Sequence, residues 1–288
     1  MQEEALLLGP ARSLAGVFTP ATQTRDDQPK TALICLTAGL LHHVGPHRLH
    51  VLLARAIAGQ GISTLRFDLS GIGDSATRTD GLSAQASSIE EINAAIAELE
   101  KRGYTRFILF GICSGAVQAT KVALGNDKIA GLVLLNTGND TSSSETNPQA
   151  GAQYYLKRSL WNPRAWKNLV TGRVKYRDLF YTLFAALKHR LINLLPGERQ
   201  KNLSMEETLK RGVAPFIEQG TAILVVLSDR HAQFFELHRD AIEALETEQF
   251  KVLMYPQTDH LFTSLAVQQE LIEQVCRWSA NLAGPGQA

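Results

Sequence analysis

No apolar run in this chain reaches the ~18 residues needed to cross a bilayer as a helix. Three cysteines, Cys35, Cys113 and Cys276, are too few and too scattered for a disulfide framework or a zinc site. The opening Met1-Gln-Glu-Glu has no basic region ahead of an apolar one, which speaks against a secretory leader. These absences together point to a reducing, cytoplasmic setting. Internal repeats, a Walker spacing, a dinucleotide fingerprint and nucleic-acid-binding signatures are also missing. The expectation is therefore no cofactor, no metal and no nucleic-acid partner.

What remains is a chain of 288 residues, 44% hydrophobic, long enough to bury a full core. Its net charge of +1 conceals an asymmetry. Between Lys157 and Arg211 stand 13 Lys/Arg against 4 Asp/Glu, while the rest carries 16 basic and 24 acidic residues.

Short apolar runs alternate with helical patterns. Ala5–Leu8 and Ser13–Phe18 read as a hairpin, and Thr31–Leu36, Ile62–Phe67, Arg106–Phe110 and Ile129–Leu135 as strands. Between them lie expected helices at about Pro46–Ala58, at Ser88–Lys101 with Ser88 as N-cap and Glu91 closing a capping box, and at Ala116–Leu124. The rhythm resumes with strands Ala222–Leu227 and Phe250–Tyr255 and helices Gln233–Leu245 and Ser264–Ala280. Alternation of this kind implies a mostly parallel sheet covered on both faces, with functional groups at the carboxyl ends of its strands. Residues 1–136 and 217–288 would form that core. Residues 137–216, polar at first and then aromatic and basic, read as an inserted helical cap.

One pentapeptide organises the chemistry. Gly111-Ile112-Cys113-Ser114-Gly115 lies between a strand and a helix, the context of a nucleophile elbow. Cysteine at its apex points to acyl chemistry through a thiolate, favoured by the positive end of the following helix. His260, on the loop after the last strand, is the expected general base. Asp229, after the preceding strand, is the expected acid, with Asp259 as the alternative. The backbone N–H groups of Ser114 and Leu40 are the expected oxyanion donors. Gly39, His42, His43, Tyr154 and Tyr155 are candidates for substrate contact. The stretch Phe67–Ser75, rich in glycine, reads as a rigid loop bordering the site.

These blocks resemble the α/β-hydrolases, and among them the exosortase-A-system-associated hydrolases. The likeness runs over most of the chain. It includes Ala38-Gly39 through Gly45-Pro46, Leu65–Asp74, Gly111–Ala116, Tyr154–Arg158 and Trp166–Gly172. It implies an α/β-hydrolase fold, a cysteine nucleophile, a late histidine and a small-molecule or polymer acyl substrate. That group tends to place its acid in a Ser-Gly-x-Asp turn. Here the run is Ser228-Asp229-Arg230-His231, so the acidic slot falls on His231 and Asp229 stands two residues early.

A thiolate forms a thioester acyl-enzyme, which suits esters, thioesters and lactones better than amides. The cap stretch Lys175–Leu195 spaces Leu179, Phe180, Leu183, Phe184, Leu187, Leu191 and Leu194 for one helical face, with basic residues at both ends. That stripe would pack on the core. Alternatively it would edge an acyl groove facing a coenzyme-A-type arm or an acidic carrier protein, or rest on an anionic membrane surface. The expected activity is acyl hydrolysis or acyl transfer, with water or another acceptor. The alternative is a catalytically silent binding protein that docks an acidic carrier or export component through the cap.

Overall fold

The computed structural model describes residues 2–23, 29–137, 205–229, 232 and 239–283. Tyr154, Tyr155, His231 and the basic stretch Lys157–Lys201 lie outside the described residues, as does most of the expected cap. Eight strands form one sheet: β1 (Glu4–Leu8), β2 (Leu14–Thr19), β3 (Thr31–Leu36), β4 (Ser63–Phe67), β5 (Arg106–Ile112), β6 (Ile129–Leu135), β7 (Ala222–Ser228) and β8 (Phe250–Tyr255). Their order is β1-β2-β4-β3-β5-β6-β7-β8. Strands β3 to β8 are parallel, and β2 runs antiparallel to both β1 and β4.

Strand alternation divides the apolar residues between two cores. Ile34, Leu36, Phe107, Leu109, Leu132 and Leu134 face one side, where helices α2 (Ala84–Lys101) and α3 (Ser114–Ala123) cover them. Leu33, Ile108, Phe110, Ile112, Val133 and Leu135 face the other, beneath α1 (Leu49–Ala58) and the last helix, Leu265–Ala283. Burying each such side chain contributes about 1.5–3 kcal/mol, so the central strands are the most strongly held part of the sheet. Among the described residues no helix is long and apolar enough to cross a membrane.

Two local expectations need correction. Helix α2 begins four residues before Ser88: the cap is Ser83, whose Oγ accepts the Ala86 N–H at 3.3 Å. Ser88 is buried inside the helix, and its hydroxyl donates to the Gln85 carbonyl. Glu91 closes no capping box. It accepts instead from the Ser70 N–H and hydroxyl, at 2.9 and 2.6 Å, and pins the glycine-rich loop. The expected Pro46–Ala58 helix is also interrupted. A 3₁₀ turn at Pro46–Arg48, with His47 and Arg48 at positive φ, precedes α1. The helix α4 (Met205–Glu218), whose first twelve residues fall within the expected insertion, sends Phe216 into the core beside Val213 and Ile217.

Candidate active site

The elbow forms because two positions on it have no room for a Cβ. A Cβ on Gly111 would stand 2.5 Å from the Gly115 carbonyl, and one on Gly115 would stand 2.5 Å from the Leu36 carbonyl oxygen. Only glycine lets β5, the turn and α3 approach that closely. Between them Cys113 takes φ 53° and ψ −112°, a strained conformation for a residue with a side chain. It is half-buried and stands at the N-terminal end of α3. Cys35 and Cys276 sit in different surroundings. Burial pushes the Cys35 thiol up to about 12 and the Cys276 thiol up to about 11. Neither is poised as a thiolate.

The loop after β3 lies beside the elbow. Ser114 ties the two together: its Oγ accepts the Gly39 N–H at 2.8 Å. The N–H groups of Leu40 and Ser114, expected as oxyanion donors, meet no acceptor among the described residues. The far end of that loop is fixed by Asp68, which follows β4 and is fully buried. One carboxylate oxygen of Asp68 accepts the His43 N–H at 2.5 Å. The other accepts His43 Nδ1–H at 2.8 Å and the Asp74 N–H at 3.1 Å. Burial alone would raise the Asp68 pKa; the donors on His43 and Asp74 outweigh it and hold the carboxyl below its usual range. Ser75 completes the corner by donating to the Asp68 carbonyl at 2.7 Å. The glycine-rich stretch is thus rigid, as its composition suggests.

Metal-ligating atoms of His43, Asp68 and Asp74 come within 4.8 Å of one another. Both Asp68 oxygens are already committed to N–H donors, so the group fits a hydrogen-bonded corner better than an ion site. His43 is consequently turned toward Asp68, where it orients the loop. His42 stays exposed and meets the His43 ring edge-on at 5.6 Å. Gly39 is exposed on the same loop.

On the other side of the elbow, the end of β6 gathers three segments. The Leu135 carbonyl accepts the Cys113 N–H at 2.9 Å. The next residue, Asn136, is buried with φ 51°, and its amide oxygen accepts the Ser228 N–H at 2.8 Å. Its Nδ2 donates to Ser228 Oγ at 2.9 Å and to the His260 carbonyl at 2.8 Å. Ser228 Oγ lies 3.1 Å from the Asp259 carbonyl, which it reaches as a donor. The elbow, the turn carrying Asp229 and the turn carrying His260 are therefore joined through Leu135-Asn136.

His260 is half-buried on that turn, and Asp229 is exposed with φ 49°, immediately after β7. The carboxylate of Asp259 is spent on its own loop, accepting from the Leu261 N–H, the Thr263 N–H and the Thr263 hydroxyl. Burial works against its ionisation, and those bonds outweigh it, leaving the pKa lowered. Asp259 thus acts as the cap of the turn. Phe262, fully buried with φ 54°, packs edge-on against Tyr255 and anchors the same turn.

The sequence reading did not pick out Asn136 or Asp68. Both are polar residues directly after a strand that is buried along its whole length, at the end of the sheet where parallel α/β folds place their functional groups. That position was the available signal.

Residues 28–175 match the serine aminopeptidase S33 family of hydrolases, over 148 of the 288 residues. The chain belongs to that family. Solved structures confirm the α/β-hydrolase fold. A serine hydrolase homologue from Coxiella burnetii is 17% identical with a TM-score of 0.55, and the alignment covers 96% of this chain and 97% of that one. A monoacylglycerol lipase from Paleococcus ferrophilus is 15% identical with a TM-score of 0.55, over 93% and 99%. A carboxyl esterase from Bacillus coagulans is 13% identical with a TM-score of 0.57, over 98% and 99%. None of the curated proteins matches. Within this family named for serine, the α/β-hydrolase described here has cysteine at the apex of its elbow.

Proposed function

We propose that this α/β-hydrolase cleaves or transfers the acyl group of an ester or thioester through an acyl-cysteine intermediate on Cys113. The observation that carries the proposal is the elbow itself. Two glycines that tolerate no Cβ hold a strained Cys113 at the start of a helix. Strain of that kind persists where a function needs it. The lipase and esterase among the structural relatives and the likeness to exosortase-A-system-associated hydrolases support acyl chemistry. The intact elbow weighs against a silent binding protein.

In the proposed sequence the Cys113 thiolate attacks the carbonyl carbon. The N–H groups of Leu40 and Ser114 stabilise the oxyanion. Collapse expels the alkoxide or thiolate, which takes a proton from the imidazolium of His260. His260 then removes a proton from water or another acceptor, whose attack on the thioester releases the acyl product and restores the thiolate. In this reading Asp229 orients the imidazole.

Steady-state hydrolysis of a p-nitrophenyl butyrate ester and a butyryl thioester tests this. Cys113→Ala and His260→Ala should each lose about 10³-fold or more in kcat/KM, as removal of a triad member does elsewhere. Wild-type turnover in Cys113→Ala would remove the proposal.

A further inference from the structure

We propose that Asn136 is the positioning residue that sets the histidine turn against the elbow, an inference that rests on Cys113 and His260 being nucleophile and base. Every polar group of its amide has a defined task. Nδ2 spends its two protons on Ser228 Oγ and the His260 carbonyl, at 2.9 and 2.8 Å, and Oδ1 accepts the Ser228 N–H at 2.8 Å. Its own backbone N–H is taken by the Val226 carbonyl at 2.8 Å. The Ser228 hydroxyl, having accepted from Asn136, passes its proton to the Asp259 carbonyl.

The carbonyls of Asp259 and His260 are therefore both gripped from below. The grip falls on the main chain and leaves the imidazole to the chemistry. One residue earlier, the Leu135 carbonyl holds the Cys113 N–H. Consecutive residues, Leu135 and Asn136, thus fix the elbow against the histidine turn, which lies 124 positions beyond Asn136. Asparagine suits the place for two reasons. It tolerates the left-handed backbone found here, φ 51°, and it supplies two donors and an acceptor on a short side chain. Aspartate would offer no donor to the His260 carbonyl at neutral pH. Positioning at this level matters because a displacement of about 1 Å costs on the order of 100-fold in rate.

The test separates positioning from folding by counting intact sites. Each full-length variant is treated with iodoacetamide and its intact mass measured. A folded chain takes one adduct, at Cys113, because Cys35 and Cys276 are buried; an unfolded chain takes three. Turnover of p-nitrophenyl butyrate by an untreated aliquot is then divided by the fraction of chains that take a single adduct. Asn136→Asp should keep one adduct and lose about 100-fold in kcat, with KM changed by less than about 3-fold. Ser228→Ala should lose about 10-fold in the same way.

The inference is overturned if kcat per single-adduct chain equals wild type in either variant, or if both variants take three adducts. Should Asn136→Asp alone unfold, Ser228→Ala decides. Wild-type turnover in Cys113→Ala is a separate result that removes the functional reading first and the inference with it.

Discussion

Two corners flank the elbow, and they are built from opposite chemistry. On the β3–β4 side a buried carboxylate, Asp68, gathers the His43 and Asp74 donors and fixes the loop that carries Gly39 and Leu40. On the β6–β8 side a neutral amide, Asn136, gathers the Ser228 and His260 turns. Both are polar residues following a buried strand, and both side chains are held by several hydrogen bonds. They differ in what pH can do to them. The Asp68 corner depends on a charge that acid removes, whereas the side chains of Asn136 and Ser228 carry no titratable group, and the carboxylate beside them, Asp259, bonds within its own turn. The hydrogen bonds that shape the oxyanion loop should therefore weaken in acid, and the Asn136–Ser228 bonds should not.

Removing the charge should have the largest effect on stability. Asp68→Asn confronts the His43 N–H with an amide and should cost about 1.5–3 kcal/mol, the scale for hydrogen bonds to a charged group. Its pH dependence follows from the sign of the shift. The folded pKa of Asp68 lies below its ordinary value of 3.8, so the stability it contributes is present above that value and lost as pH falls through the folded pKa. Thermal unfolding of wild type should drop steeply below about pH 4, and Asp68→Asn should narrow that drop. A parallel pH profile in the variant would break the comparison on the charged side.

Ser228→Ala probes the neutral corner. Loss of one buried hydroxyl leaves the Asp259 carbonyl without its donor and should cost about 1–2 kcal/mol. Because neither Ser228 nor Asn136 titrates, that cost should be the same at pH 4.5 and pH 7.5. A cost that grows in acid would erase the distinction.

The smallest effect is expected at the link between elbow and loop. Ser114→Ala strips the Gly39 N–H of its acceptor in an exposed setting, worth about 0.5–1 kcal/mol of stability. Activity should fall about 10-fold, because the oxyanion loop loses its tether to the elbow. A stability loss with unchanged kcat would show that the loop is positioned by Asp68 alone.

The sequence was informative wherever the signal was local. The runs Thr31–Leu36, Ile129–Leu135 and Phe250–Tyr255 match strands to the residue because each is a dense apolar block bounded by polar residues. The elbow was legible because its five-residue pattern is local, even though only Gly111 answers a demand from within the turn while Gly115 makes room for the Leu36 carbonyl. Asn136 was not legible, because its partners stand 92 and 124 positions away and leave no local pattern. Ser88 and Glu91 show the reverse error. Their capping-box spacing is genuine, but Ser83 caps the helix one turn earlier and tertiary contacts draw Glu91 to Ser70. Asp259 stood second to Asp229 as the expected acid, and its carboxylate is occupied by its own turn.

The most direct test of the account is intact mass after rapid quench with a short-chain p-nitrophenyl ester and with an acyl thioester. The account predicts one acyl adduct on wild type, none on Cys113→Ala, and an adduct that persists in His260→Ala because deacylation lacks its base. An adduct that survives in Cys113→Ala, or turnover by wild type with no adduct at any quench time, would contradict it.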